Sequence, residues 1–214
     1  MKINTYIWDM DGTLINSYPA IIKEVMETLD LFGVKREESD AYNYIIRYSV
    51  KELMQKIADE ENMKFEDLYG KFHELQTAET MMIEPMPHAA ETLRQLVEAG
   101  GRNLVFTHRG RSAQRLLDTC GLAEYVDECL SVGGDIPRKP APGGILYLVD
   151  KYGLDKEQCC YVGDRMLDME SAKNAGVTSI LYDPFGVYSD AEKGELVDVR
   201  VADLQEISEQ NKNC

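Results

Sequence analysis

The chain has 214 residues, 44% of them hydrophobic and 29% charged, and its 38 acidic against 23 basic side chains give a formal net charge of −15. Length and composition suit one core with a small insert and exclude disordered and collagen-like classes. Nucleic acid and anionic lipid are disfavoured as partners by the acidic balance, and no apolar run approaches the roughly 18 residues of a membrane span.

The N-terminal stretch lacks the basic-then-apolar plan of a signal peptide, so a cytoplasmic protein is expected. The first apolar run, Ile3 to Trp8, reads as a strand and exits into Asp9-Met10-Asp11-Gly12-Thr13. In extended chain, residues two apart project to one side, so Asp9 and Asp11 can face a common site, with Gly12 allowing a sharp turn behind them. Asp-Gly alone also fits an Asx turn. From about residue 16 to 83 no strand pattern occurs, and apolar residues follow a 3.6-residue period: Ile21, Ile22, Val25, Met26 and Leu29, then Leu53, Met54 and Ile57, then Phe65, Leu68, Tyr69 and Phe72. This stretch reads as a helical insert. A break at Ile46-Arg47-Tyr48-Ser49 separates two of its helices, and Arg47 there is a candidate for a substrate carboxylate or second phosphate, or a solvated arginine at a helix end. Pro85 and Pro87 mark the return to the core.

Beyond the insert, apolar runs alternate with helical stretches, the pattern of a parallel sheet with crossover helices. The runs are Asn103 to Thr107, Glu128 to Val132, Gln158 to Gly163 and Thr178 to Tyr182. The helices are Pro87 to Ala99, Ser112 to Cys120, Pro142 to Tyr152 and Arg165 to Ala175, with Gly100, Gly121, Gly153 and Gly176 as C-terminal caps. A polar, frayed tail is expected from Ile207 to Cys214. The five cysteines, Cys120, Cys129, Cys159, Cys160 and Cys214, read as buried free thiols.

Ligands of open parallel sheets bind beyond the carboxyl ends of the strands. Those ends carry Asp9 and Asp11, Thr107 with His108 and Arg109, Lys139 in Arg138-Lys139-Pro140, and Asp164 with Asp168 one turn later. Asp164 alone also fits an N-cap. Asp168, however, brings a second acid to the same helix face. Four carboxylates, Asp9, Asp11, Asp164 and Asp168, suit Mg²⁺, and a Thr hydroxyl, backbone N–H groups and an ammonium suit a phosphoryl group facing it.

These motifs, in this order, resemble the haloacid dehalogenase superfamily, in its phosphoglycolate-phosphatase-like branch. The resemblance covers essentially the whole chain. It implies a doubly wound, Rossmann-like, mostly parallel sheet formed by residues 1–15 and 84–214, with residues 16–83 as an inserted α-helical cap. It further implies Asp9 as nucleophile, Asp11 as acid/base, Thr107 and Lys139 on the phosphoryl oxygens, and Mg²⁺ on Asp9, the Asp11 carbonyl and Asp164; His108, from its place after Thr107, reads as a candidate substrate contact or as a structural histidine. Asp168 then supports the metal shell or orients Lys139. The expected activity is hydrolysis of a small phosphorylated metabolite through an aspartyl-phosphate. A sugar-phosphate mutase is the alternative; beta-phosphoglucomutases usually carry a histidine where this chain has Ile21. A non-catalytic phosphoprotein-binding module is a third reading, against which Asp9, Asp11 and Lys139 all stand.

Overall fold

The computed structural model describes residues 3–76, 83–110, 112–133 and 136–212. The chain forms two units, Met1–Asn16 with Glu84–Cys214, and Ser17–Ile83. Among the described residues, no helix is long and apolar enough to cross a membrane.

In the first unit, β1 (Thr5–Trp8), β4 (Arg102–Thr107), β5 (Glu128–Ser131), β6 (Cys159–Gly163), β7 (Thr178–Tyr182) and β8 (Val199–Val201) form a parallel sheet in the order β5-β4-β1-β6-β7-β8. This is the doubly wound order, whose direction of winding reverses beside β1. Every residue of β1 is buried, as a central strand covered on both faces must be, and this explains its unbroken apolar run. The helices α5 (Ala89–Glu98), α6 (Ala113–Thr119), α7 (Gly143–Tyr152), α8 (Met166–Ala175) and α9 (Asp190–Lys193) alternate with these strands. Gly153 and Gly176 end α7 and α8 in the left-handed conformation, at φ 59° and 76°. On one face Ile7, Phe106, Tyr161, Ile145, Leu148 and Ala172 pack into one core. Gly144 is required there, because a Cβ would stand 2.2 Å from the Phe106 ring.

Three features depart from the sequence expectation. The two-residue strands β2 (Ile15–Asn16) and β3 (Glu84–Pro85) pair antiparallel, so Asn16 belongs with the first unit and not with the insert. The edge strand β8 is only three residues long, Val-Arg-Val, too short to show a period. The polar tail is helical at α10 (Gln205–Lys212), where Ile207 and Ser208 are buried; residues 213–214, with Cys214, lie outside the described residues. Cys159 and Cys160 are buried and free as expected, whereas Cys120 and Cys129 are free but only half-buried.

The second unit contains α1 (Tyr18–Leu31), α2 (Glu38–Arg47), α3 (Val50–Glu60) and α4 (Phe65–Gln76) among its described residues; part of the insert, residues 77–82, lies outside them. Ile22, Val25, Leu29, Met54, Leu68 and Phe72 meet in its core at the helical spacing of the sequence. The break before α3 falls at Tyr48-Ser49, where Ser49 Oγ accepts the Glu52 N–H and caps the new helix.

Candidate active site

Asp9 directly follows β1 and Asp164 directly follows β6, neighbouring strands at the winding reversal, so both acids leave the sheet at the same edge. The Asp9 N–H still donates to Val162 O at 2.8 Å, which holds its backbone in register past the end of the strand. Asp168, in the first turn of α8, comes back toward them. A Cβ on Gly163 would lie 2.4 Å from the Asp168 Cβ, so only glycine permits this approach. Asp9, Asp164 and Asp168 are all buried, and one carboxylate oxygen from each lies within 4.8 Å of the others.

Lys139 enters this group from the loop before α7, with its side chain fully buried. Its Nζ donates to Asp9 Oδ1 at 2.8 Å, Asp168 Oδ1 at 2.6 Å and Tyr161 Oη at 2.9 Å, so all three ammonium hydrogens have acceptors. Burial alone would push the ammonium down, but Asp168 and Asp9 outweigh it and hold Lys139 above its usual value. Asp9 moves the other way for an acid: burial, opposed by Lys139 and helped by Asp168, raises it to about 6. The two shifts agree once one ammonium is seen to serve two carboxylates. Asp168 is also fixed by the Arg165 N–H at 3.1 Å, and the group as a whole carries excess negative charge.

This excess is the feature that fits a divalent cation. Three buried carboxylates outnumber the Lys139 ammonium and the nearby Arg165 charge, so a bound proton or metal ion stabilises the group. With Asp9 raised to about 6, the metal-free fold keeps a proton that the unfolded chain releases near pH 4, so its stability falls as pH rises between these values. Metal competes for the same oxygen, and its affinity should therefore rise with pH and level off above about 6. Titration calorimetry across that range checks this; an affinity independent of pH would remove Asp9 from the ligands.

Several expected site residues are placed differently from the sequence expectation. The Asp11 carboxylate is not part of the acidic group. It accepts Arg109 Nε at 3.0 Å on both oxygens and Arg109 Nη2 on Oδ1, because the loop after β4 brings a guanidinium against it. Three side chains thus offer the metal site, not four. His108, expected beside the substrate, accepts the Lys139 backbone N–H on Nε2 at 2.7 Å. Burial and the nearby Lys139, Arg138 and Arg165 charges push it down to about 2, so it is a neutral brace for the Lys139 loop. Thr107 is buried at the end of β4, and its Oγ1 accepts the Arg109 N–H at 3.0 Å, leaving the hydroxyl hydrogen to donate elsewhere. Arg47 lies at the end of α2, where it lines a cavity of about 460 Å³ with Arg36, Tyr44 and Lys56 in the second unit.

Two supporting residues were not singled out from the sequence. Thr13 Oγ1 donates to Asp164 Oδ1 at 3.1 Å, and its adjacency to Asp11-Gly12 was the available signal. Tyr161 had none, since in β6 it reads as one more apolar strand residue. Its buried hydroxyl donates to Phe106 O at 2.9 Å while accepting from Lys139. Tyr161→Phe should leave both partners unsatisfied and cost about 1–3 kcal/mol, read as a lower urea midpoint. An unchanged midpoint would show that water replaces the hydroxyl.

A family model described as haloacid dehalogenase-like hydrolase matches residues 6–182. The chain is 29% identical over 180 residues to the phosphoglycolate phosphatase of Aquifex aeolicus, covering 82% of each chain. It is 29% identical over 182 residues to the pyrophosphatase PpaX of Halalkalibacterium halodurans, covering 83% of this chain and 82% of that one. A solved haloacid dehalogenase-like family hydrolase from Streptococcus pneumoniae superposes with a TM-score of 0.83 at 16% identity, over 97% of this chain and 98% of the other, a likeness of fold.

Proposed function

The chain belongs to the haloacid dehalogenase-like hydrolase family, and from that membership we propose that it is a Mg²⁺-dependent phosphatase acting on a small phosphorylated metabolite. The observation that carries this reading is the buried group of three carboxylates around the Lys139 ammonium. Asp9 and Asp164 would hold the cation, which when bound supplies positive charge against the phosphoryl oxygens. Asp168 orients Lys139.

In this reading an Asp9 oxygen attacks phosphorus as the bond from phosphorus to the leaving oxygen breaks, and Asp11 gives that oxygen its proton. Water then attacks the same phosphorus while Asp11 takes a water proton, and the phosphorus–Asp9 bond breaks to return the carboxylate and free phosphate. The Thr107 hydroxyl donates to a phosphoryl oxygen, and Lys139 offsets the charge that develops there. Both named relatives suit a site of this kind: phosphoglycolate and pyrophosphate are small, and each carries a second anionic group beside the phosphate.

Phosphate release from a panel of phosphorylated acids, sugars and pyrophosphate, with Mg²⁺ and with a chelator, tests the proposal. Release that a chelator abolishes and Mg²⁺ restores supports it. Relocation of phosphate without release would favour a mutase, and turnover in chelator would overturn the metal assignment. We assign the helical insert, residues 17–83, the role of a cap, with Arg47 meeting the distal part of the substrate. Arg47→Ala should then raise KM for the best anionic substrate by a larger factor than for an aryl phosphate; equal changes would remove Arg47 from this role.

A further inference from the structure

Asp11 has the geometry of a residue held back from the chemistry just assigned to it. Both of its oxygens accept guanidinium hydrogens from Arg109, and this fork must open before either can face a leaving group. The side chain of Arg109 is only 10% exposed and that of Asp11 26%, so the ion pair is itself largely shielded from water. The Arg109 backbone is bonded to Thr107, which ties the guanidinium to the end of the strand that presents the phosphoryl-binding hydroxyl. Lys139 has no ammonium hydrogen without an acceptor, so it has little to offer a second anion.

We propose that Arg109 selects substrates with an anionic group close to the transferred phosphate, by moving from Asp11 to that group and so freeing Asp11 to take a proton from solvent and pass it to the leaving oxygen. This rests on the reading of Asp11 as acid/base. A guanidinium fork matches a carboxylate or a phosphate as well as it matches Asp11, so an anionic substrate replaces the bonds that are broken. A neutral substrate offers the guanidinium no replacement for the Asp11 bonds. Arg109 is therefore a specificity residue, and the ion pair is the resting position from which substrate displaces it.

The test compares 2-phosphoglycolate with its neutral amide in the wild type, Arg109→Gln and Arg109→Lys, with urea unfolding of each to confirm the fold. The wild type should favour the acid by about a hundredfold in kcat/KM, most of it in kcat. Arg109→Gln should lower the value for the acid far more than for the amide, so that the ratio approaches one, and Arg109→Lys, which keeps charge without the fork, should lie between. Calorimetry without turnover gives a second reading: phosphonoacetate should bind the wild type much more tightly than methylphosphonate does, and Arg109→Gln should lose that difference. Equal losses on both substrates, or a wild type that binds both phosphonates alike, would overturn the role of Arg109 while leaving the phosphatase reading in place. If Asp11→Asn hydrolyses both substrates at the wild-type rate, it is the acid/base reading itself that fails.

Discussion

Asp9→Asn is expected to abolish turnover, by about 10⁴-fold or more in kcat, while leaving the protein folded. An amide oxygen is a poor nucleophile toward phosphorus, and no neighbouring group can replace it. Asp168 is engaged by Lys139 and the Arg165 N–H, and Asp164 by Thr13. The fold should tolerate the change because an amide oxygen still accepts the Lys139 hydrogen that Asp9 Oδ1 now takes at 2.8 Å. It also removes a buried charge that is already raised to about 6 and is poorly stabilised at neutral pH. Intact-protein mass spectrometry after rapid quenching should find phosphate attached to the wild type but not to the variant. If Asp9→Asn keeps more than about one hundredth of the activity, a different residue is the nucleophile.

Lys139→Met should have the opposite balance, with turnover and stability lost together. Its ammonium is the shared partner of Asp9 and Asp168, and its removal leaves buried carboxylates facing one another. Breaking a buried ion pair from one side costs about 3–5 kcal/mol. At about 2–4 °C per kcal/mol for a chain of this size, Tm should fall by about 6–20 °C. The loss should shrink when Mg²⁺ is added, since a cation in the acidic group replaces part of the missing charge. It should shrink again as pH falls, because Asp9, raised further without Lys139, takes up a proton. Scanning calorimetry with and without Mg²⁺ measures both effects. A Tm within about 2 °C of the wild type under metal-free conditions would show that Lys139 is not the counter-ion of the group.

What could be read from the chain alone was whatever local order encodes. The apolar runs of β1, β4, β6 and β7, the helices capped at Gly153 and Gly176, and the acids at the strand ends all depend on periods of two or 3.6 residues and on turn chemistry. These belong to a dozen residues at a time and survive without knowledge of the fold. Asp9, Asp164 and Asp168 could be placed together because a parallel sheet puts all its carboxyl ends at one edge. Short or polar elements had no such signal. In β8, three residues cannot display alternation, and α10 is held by burial of Ile207 and Ser208 in spite of its polar sequence.

Tertiary structure alone decided how the charges pair. Asp11 and Arg109 are 98 residues apart, and nothing in either motif predicts that they meet, nor that the meeting keeps the Asp11 side chain out of the acidic group. His108 could be taken for a substrate ligand until its Nε2 was found to accept the Lys139 N–H. Tyr161 acquires a polar task only because Lys139 and the Phe106 carbonyl arrive on either side of its hydroxyl. The physical reason is the same in each case. Residue type sets what a side chain can donate, accept or charge, but the partner that takes up that capacity is chosen by which loops packing brings within about 3 Å.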